Sequence, residues 1–326
     1  MSLFGTAGIR GDARERVTPE LALSVGRAVG EPGREVVVGR DGRTTGPALA
    51  AAVTAGLTSA GARVVRLGAV PTPALAFASR GRRGVMVTAS HNPPQDNGLK
   101  LFADGVEYDS DAERVVEGRV DADPASAAWD AWGGVERATV LDDYRDAVVD
   151  YAADHGAAPD GLTVAVDCGN GMAALATPQV LREAGARVTA LNANVDGHFP
   201  GRPSKPTGDT LTDLRAFVRG DADLGIGHDG DADRIVVVGP DGDVVHEDTV
   251  LAVVAAHYTR YSDAADPVVV TTPNASGRID EQVTAAGGRV ERVRLGALHE
   301  GIARVREGDG MVVFAAEPWK HTHPAF

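Results

Sequence analysis

Lysine is almost missing from this 326-residue chain: Lys100, Lys205 and Lys320 stand against 29 arginines, and 46 acidic residues bring the formal net charge to −14. A surface that acidic repels polyanions, which argues against nucleic acid and anionic membrane as partners. Cysteine is scarcer still. Cys168 stands alone, so no disulfide can form within the chain, and a reducing cytoplasm is the expected compartment. No apolar run approaches the roughly 20 residues of a membrane span, and no apolar signal region precedes Phe4-Gly5-Thr6, so a soluble protein is expected. Aromatic residues are few, at 5%, yet an apolar share of 43% is enough for cores in two or three domains.

What the chain does contain is a threefold pattern. Val36-Val37-Val38, Val164-Ala165-Val166 and Val268-Val269-Val270 each precede a turn-rich loop and an alanine-rich helical stretch. That stretch ends at Ala60-Gly61-Ala62-Arg63-Val64, Ala184-Gly185-Ala186-Arg187-Val188 and Ala286-Gly287-Gly288-Arg289-Val290. Glycine in this position suits a left-handed helix C-cap, and the valine after it opens another strand. Strand, helix, glycine and strand form a βαβ unit, which buries its strands in a mostly parallel sheet covered by helices. The expectation is α/β, as three similar domains; one larger sheet is the alternative. Tyr151-Ala152-Ala153-Asp154-His155-Gly156 reads as a first boundary, Gly239-Pro240-Asp241-Gly242-Asp243 as a hairpin turn before a second, and residues 110 to 135 as a surface segment.

Two loops carry chemistry. Thr88-Ala89-Ser90-His91-Asn92-Pro93, with Asp96-Asn97-Gly98-Leu99-Lys100 after it, brings a hydroxyl, an imidazole and a lysine just beyond the apolar run Val85-Met86-Val87. If that run is a strand, Ser90 lies at its carboxyl end, where open α/β sheets bind ligands. Far downstream, Asp229-Gly230-Asp231-Ala232-Asp233-Arg234 sets three carboxylates at alternate positions before a guanidinium. All-oxygen donors suit Mg²⁺, and a hydroxyl beside such a site suggests phosphoryl chemistry. A calcium EF-hand is excluded, because Arg234 stands where that loop needs glycine and Pro240 where it needs glutamate. Arg40 and Arg43 follow the first valine run and either frame the same cleft or serve the fold. The glycines of Asp167-Cys168-Gly169-Asn170-Gly171 are read as shaping a turn.

With the opening Phe4-Gly5-Thr6-Ala7-Gly8-Ile9-Arg10-Gly11, these loops resemble the α-D-phosphohexomutase family, in the right order from residue 4 to about residue 321. The resemblance implies three similar α/β domains with mixed, mostly parallel sheets flanked by helices: residues 1–155 bearing a phosphoserine, 156–247 a metal, and 248–326 a partial sugar-binding domain, the family's fourth domain being absent. It implies a phosphohexomutase that interconverts hexose or hexosamine 1- and 6-phosphates through a phosphorylated Ser90, with a sugar 1,6-bisphosphate as intermediate and activator. Asp229, Asp231, Asp233 and an oxygen on Ser90 would hold Mg²⁺. Lys100 would move a proton at the sugar hydroxyl, with a lowered pKa; His91, Arg10 and Arg234 would attend the transferring phosphate. In Glu317-Pro318-Trp319-Lys320-His321, Glu317 and His321 match the family's sugar-reading loop while Trp319 and Lys320 depart from it; Glu317, Lys320 and His321 are the expected substrate contacts.

Excess aspartate with scarce lysine is also similar to proteins of salt-loving archaea, where salt screens the self-repulsion of an acidic surface. Two other functions stay open: a metal-dependent phosphatase, in which water receives the phosphoryl group, and a truncated, non-catalytic fragment that binds sugar phosphate. Oligomeric state is not legible.

Overall fold

The computed structural model describes residues 3–5, 8–156, 158–295, 298–317 and 320–324, with backbone alone for His299 and for 320–324. Its strands fall into three sheets. The first contains β1 (Ile9–Asp12), β2 (Glu35–Arg40), β3 (Arg63–Ala69), β4 (Arg83–Val87), β5 (Asp96–Ala103), β6 (Val106–Glu107) and β7 (Val135–Arg137), in the order β1-β5-β4-β2-β3-β7 with β6 on β5. The second contains β8 (Thr163–Asp167), β9 (Arg187–Leu191), β10 (Leu224–His228) and β11 (Ile235–Val238), ordered β11-β10-β8-β9. The third contains β12 (Pro267–Thr271), β13 (Arg289–Arg292), β14 (Met311–Glu317) and β15 (Lys320–Pro324), ordered β13-β12-β14-β15.

One topology underlies all three. A valine-rich strand pairs in parallel with the strand after the glycine-capped helix on one side, and with a third strand on the other. A fourth strand then returns antiparallel to the third. Side chains alternate between faces along each valine run, as period-two geometry requires. Val36 and Val38 enter one core and Val37 another; Val164 and Val166 oppose Ala165; Val268 and Val270 oppose Val269. Apolar positions on both faces are why helices must cover both. The repeated glycines Gly61, Gly185 and Gly287 all have positive φ, at 87°, 109° and 95°, the conformation that ends a helix without a Cβ clash.

The repeated topology places three loops equivalently. The connection from the third strand to its antiparallel partner contains Ser90 in the first sheet and Asp229 to Arg234 in the second, and in the third it joins Glu317 to Lys320.

The chain path adds detail to two of the expected segments. Tyr151 to His155, read as a first boundary, is the end of the helix Leu141–His155, which runs to Gly156. The Tyr151 hydroxyl meets that of Tyr258 at 2.9 Å on the helix Glu247–Arg260, so this helix joins the first sheet's layer to the third's. Residues 110 to 135 begin with a helix, Ser110–Asp121, capped by Asp109, before an exposed segment bearing Trp129 and Trp132. No helix among the described residues is long and apolar enough to cross a membrane.

Candidate active site

The serine loop and the carboxylate loop meet. Ser90 has φ of 51°, a left-handed conformation that costs a non-glycine residue energy and directs the backbone sharply at the end of β4. Its hydroxyl, fully buried, donates to Asp229 Oδ2 at 2.6 Å and lies 3.5 Å from Asp233 Oδ1. Gly230 makes the approach feasible, since a Cβ there would come within 2.7 Å of the Ser90 carbonyl oxygen. Gly171 serves the same packing: a Cβ would fall 2.6 Å from the Gly230 oxygen, which accepts from the Met172 N–H at 3.0 Å. The glycine-rich loop after β8 thus shapes a turn that supports the carboxylates.

Asp229, Asp231 and Asp233 each offer an oxygen, all within 4.8 Å of one another. Burial and the other two carboxylates hold Asp229 well above the usual carboxylate range. Asp231 Oδ2 accepts from Thr72 Oγ1 at 2.7 Å and Lys100 Nζ at 3.0 Å, whereas its buried Oδ1 has no hydrogen-bond partner among the described residues. An orphaned acceptor beside crowded carboxylates fits a hard divalent cation such as Mg²⁺.

Lys100 is paired with both Asp231 and Asp233 and is almost fully buried. Burial acts to lower its pKa, but the two carboxylates outweigh burial and the net shift is upward. The lowered pKa expected of this lysine is therefore corrected: it is a fixed ammonium that offsets the acidic cluster. His91 Nδ1 lies 3.4 Å from Ser90 Oγ. Burial, aided by the charges of Arg234, Arg10 and Lys205, pushes this imidazole down to about 4, so it is neutral at pH 7. Arg234 approaches Asp233 at 4.0 Å, and its N–H donates to Asp229 at 3.3 Å. Arg10 enters from β1, its buried Nε without a partner among the described residues. Glu317 is buried at the carboxyl end of β14, in another sheet. The side chains of Lys320 and His321 lie outside the described residues, as do Pro318 and Trp319.

The choice left open for Arg43 is settled by its contacts. This fully buried guanidinium uses all five N–H groups: one to Asp41 at 3.1 Å, the others to the carbonyls of Ser90, Asn92 and Asp96 at 2.7–2.9 Å and of Pro93. Phe199, from the second sheet's layer, covers its face at 5.1 Å. Arg43 therefore ties down the serine loop from beneath, while Arg40 is only half-buried and turns to the Asp41 carbonyl. Thr72 went unread in the sequence, although Val70-Pro71-Thr72-Pro73 follows β3 and so marks a strand's carboxyl end. His228 also went unread. Its ring bridges Thr177 Oγ1 and the Arg234 carbonyl at 3.1 and 3.0 Å, joining both ends of the carboxylate loop, and Arg202 grips its carbonyl at 2.7 Å.

Comparison with known proteins gives this geometry its kin. The phosphoglucomutase/phosphomannomutase family matches twice, through its alpha/beta/alpha domain I over residues 1–126 and its alpha/beta/alpha domain II over residues 142–242. The chain belongs to this family. A phosphopentomutase of Thermococcus kodakarensis is 45% identical, over all of this chain and 71% of that protein. A phosphoglucosamine mutase of Saccharopolyspora erythraea is 43% identical, over 94% of this chain and 71% of that one. A crystal structure of a phosphoglucomutase/phosphomannomutase family protein from Burkholderia thailandensis superposes with a TM-score of 0.87 at 31% identity, over 99% of this chain and 72% of that one. Membership in the family makes this chain a mutase, an enzyme that transfers phosphoryl groups.

Two outcomes follow from the charges. Mg²⁺ raises Tm, and more so at pH 8 than at pH 5.5: Asp229 holds its proton above the usual range, so protons compete with the cation as pH falls. At free Mg²⁺ about 100 times Kd the gain is about 2.7 kcal/mol, and in Asp231→Asn most of it disappears; a Tm shift equal at both pH values, or intact in that variant, contradicts the assignment. Replacing Arg43 by Met removes the cation that pairs with buried Asp41 and the five N–H donors that hold the serine loop, and lowers unfolding stability by about 3–5 kcal/mol in urea titration, against less than about 1 kcal/mol if the residue only fills space.

Proposed function

We propose that this enzyme is a Mg²⁺-dependent phosphohexomutase interconverting hexose or hexosamine 1-phosphate and 6-phosphate. Ser90 carries the phosphoryl group, and a sugar 1,6-bisphosphate is both intermediate and activator. The observation that carries this reading is the Ser90 hydroxyl hydrogen-bonded at 2.6 Å to a member of a three-carboxylate cluster. In the transfer, the bond between Ser90 Oγ and phosphorus breaks as one forms from a sugar hydroxyl, and the proton of that hydroxyl ends on the departing Ser90 Oγ. His91, neutral and with its Nδ1 3.4 Å from Ser90 Oγ, is placed to relay that proton and not to keep it, its pKa being pushed down to about 4, while the ammonium of Lys100 has no lone pair to accept one.

Asp229, Asp231 and Asp233 would hold Mg²⁺, which supplies charge neutralisation for phosphate oxygens at Ser90. Arg10 and Arg234 add fixed positive charge on the same side. Glu317, Lys320 and His321 are proposed as sugar contacts from the third sheet's loop, which is topologically equivalent to the other two. We divide the chain into a phosphoserine unit (1–155), a metal unit (156–247) and a sugar unit (248–326).

The 45% identity to a phosphopentomutase favours a second reading of the substrate, a pentose 1- and 5-phosphate pair. Phosphorus NMR with Mg²⁺, a trace of bisphosphate and glucosamine, glucose, mannose or ribose 1-phosphate separates the two. A terminal-phosphate signal grows with a hexose or hexosamine on the first reading, and with ribose alone on the second. Ser90→Ala abolishes transfer while leaving the fold intact; transfer at the unmodified rate in that variant removes the phosphoserine.

A further inference from the structure

Composition acts here as a filter on position. In a chain with 29 arginines, basic surface charge is supplied almost everywhere by guanidinium, and lysine survives at three places. Lys100 lies inside the site, and Lys320 falls in the proposed sugar loop. Lys205 is unaccounted for.

Its mounting is unusually rigid for an exposed side chain. Arg202, three residues before it, is buried and paired with Asp167 at 2.7 Å. Ser204, also buried, donates to the Asn92 carbonyl at 2.9 Å, so the second sheet's layer is pinned onto the serine loop directly beside Lys205. Pro206 is buried on the other side, and the Lys205 carbonyl accepts from Thr210 Oγ1 at 2.9 Å. Within this stretch Lys205 is the exposed charged side chain, with Pro203 the other exposed residue. The Ser204 contact sets Lys205 one residue from the serine loop, and its charge acts on His91 together with those of Arg10 and Arg234. Arg10 and Arg234 are partly buried, whereas Lys205 is exposed.

We propose that Lys205 is a substrate-binding residue whose ammonium meets the phosphate monoester of the incoming sugar phosphate at the mouth of the serine site. The inference rests on the phosphoserine reading of that site. Lysine suits the task better than arginine, because a compact ammonium on a flexible stem follows a phosphate that must be held and then released, whereas a guanidinium fork fixes one geometry. The rigid backbone supplies the position, and the flexible side chain supplies the reach.

The test is equilibrium binding of glucosamine 1-phosphate by calorimetry, with the Ser90→Ala protein as background so that no turnover intervenes. Adding Lys205→Ala is expected to weaken binding about tenfold, with Lys205→Arg retaining most of the affinity, Lys205→Glu losing more than Ala, and Tm unchanged in all three. Raising salt weakens binding less steeply once the charge is gone, which a purely structural role does not produce. Affinity within twofold of the background in Lys205→Ala, or an equal loss in Lys205→Arg, overturns the proposal. Failure of the phosphoserine reading is seen separately, as undiminished transfer by Ser90→Ala with Lys205 intact.

Discussion

Mutual repulsion among Asp229, Asp231 and Asp233 is the constraint to which the surrounding structure answers. With oxygens within 4.8 Å, each ionised pair costs roughly 3–4 kcal/mol at an effective dielectric of about 20, so three pairs rival the net stability of a whole domain. The first sheet supplies the relief. Lys100 from β5 pairs with two of the carboxylates, Thr72 steadies the middle one, and Ser90 caps the first. The cluster still carries more negative charge than Lys100 offsets. That residual charge, with the orphaned Asp231 oxygen, is the physical case for a divalent cation, while the contacts of Lys100, Thr72 and Ser90 hold the two sheets to one another.

The repeated topology explains why three separate stretches of sequence occupy equivalent places, each in its own sheet. Each repeat ends its third strand in a loop and returns antiparallel, so chemistry placed in that loop always emerges at the same corner of the sheet. The serine, the carboxylates and the proposed sugar contacts are three uses of one corner. Their rigidity comes from beneath: Arg43 satisfies four carbonyls of the serine loop, and His228 ties the two ends of the carboxylate loop.

Much of this was legible in the chain. The valine runs gave the strands because alternation with burial on both faces leaves a clear pattern, and the capping glycines marked helix ends through a backbone requirement that is local. Ser90 and the three aspartates were legible because each loop is dense in unusual side chains. What stayed hidden depends on partners more than 130 residues away, such as Thr72 with Asp231 and Lys100 with the same carboxylate. Lys100 shows the consequence: read alone it invited a lowered pKa, and only the two carboxylates brought from another sheet reverse the sign. That Tyr151 to His155 is helical was not legible, because polar, alanine-rich sequence serves a helix end as readily as a boundary.

The most direct test of the account is mass spectrometry of the protein after exposure to glucose 1,6-bisphosphate and Mg²⁺, with the modified residue mapped by fragmentation. One phosphoryl group on Ser90, which disappears when a sugar monophosphate is added and reappears as bisphosphate, is the predicted result. A protein that takes up no phosphoryl group, or takes it up on another residue, contradicts the central claim.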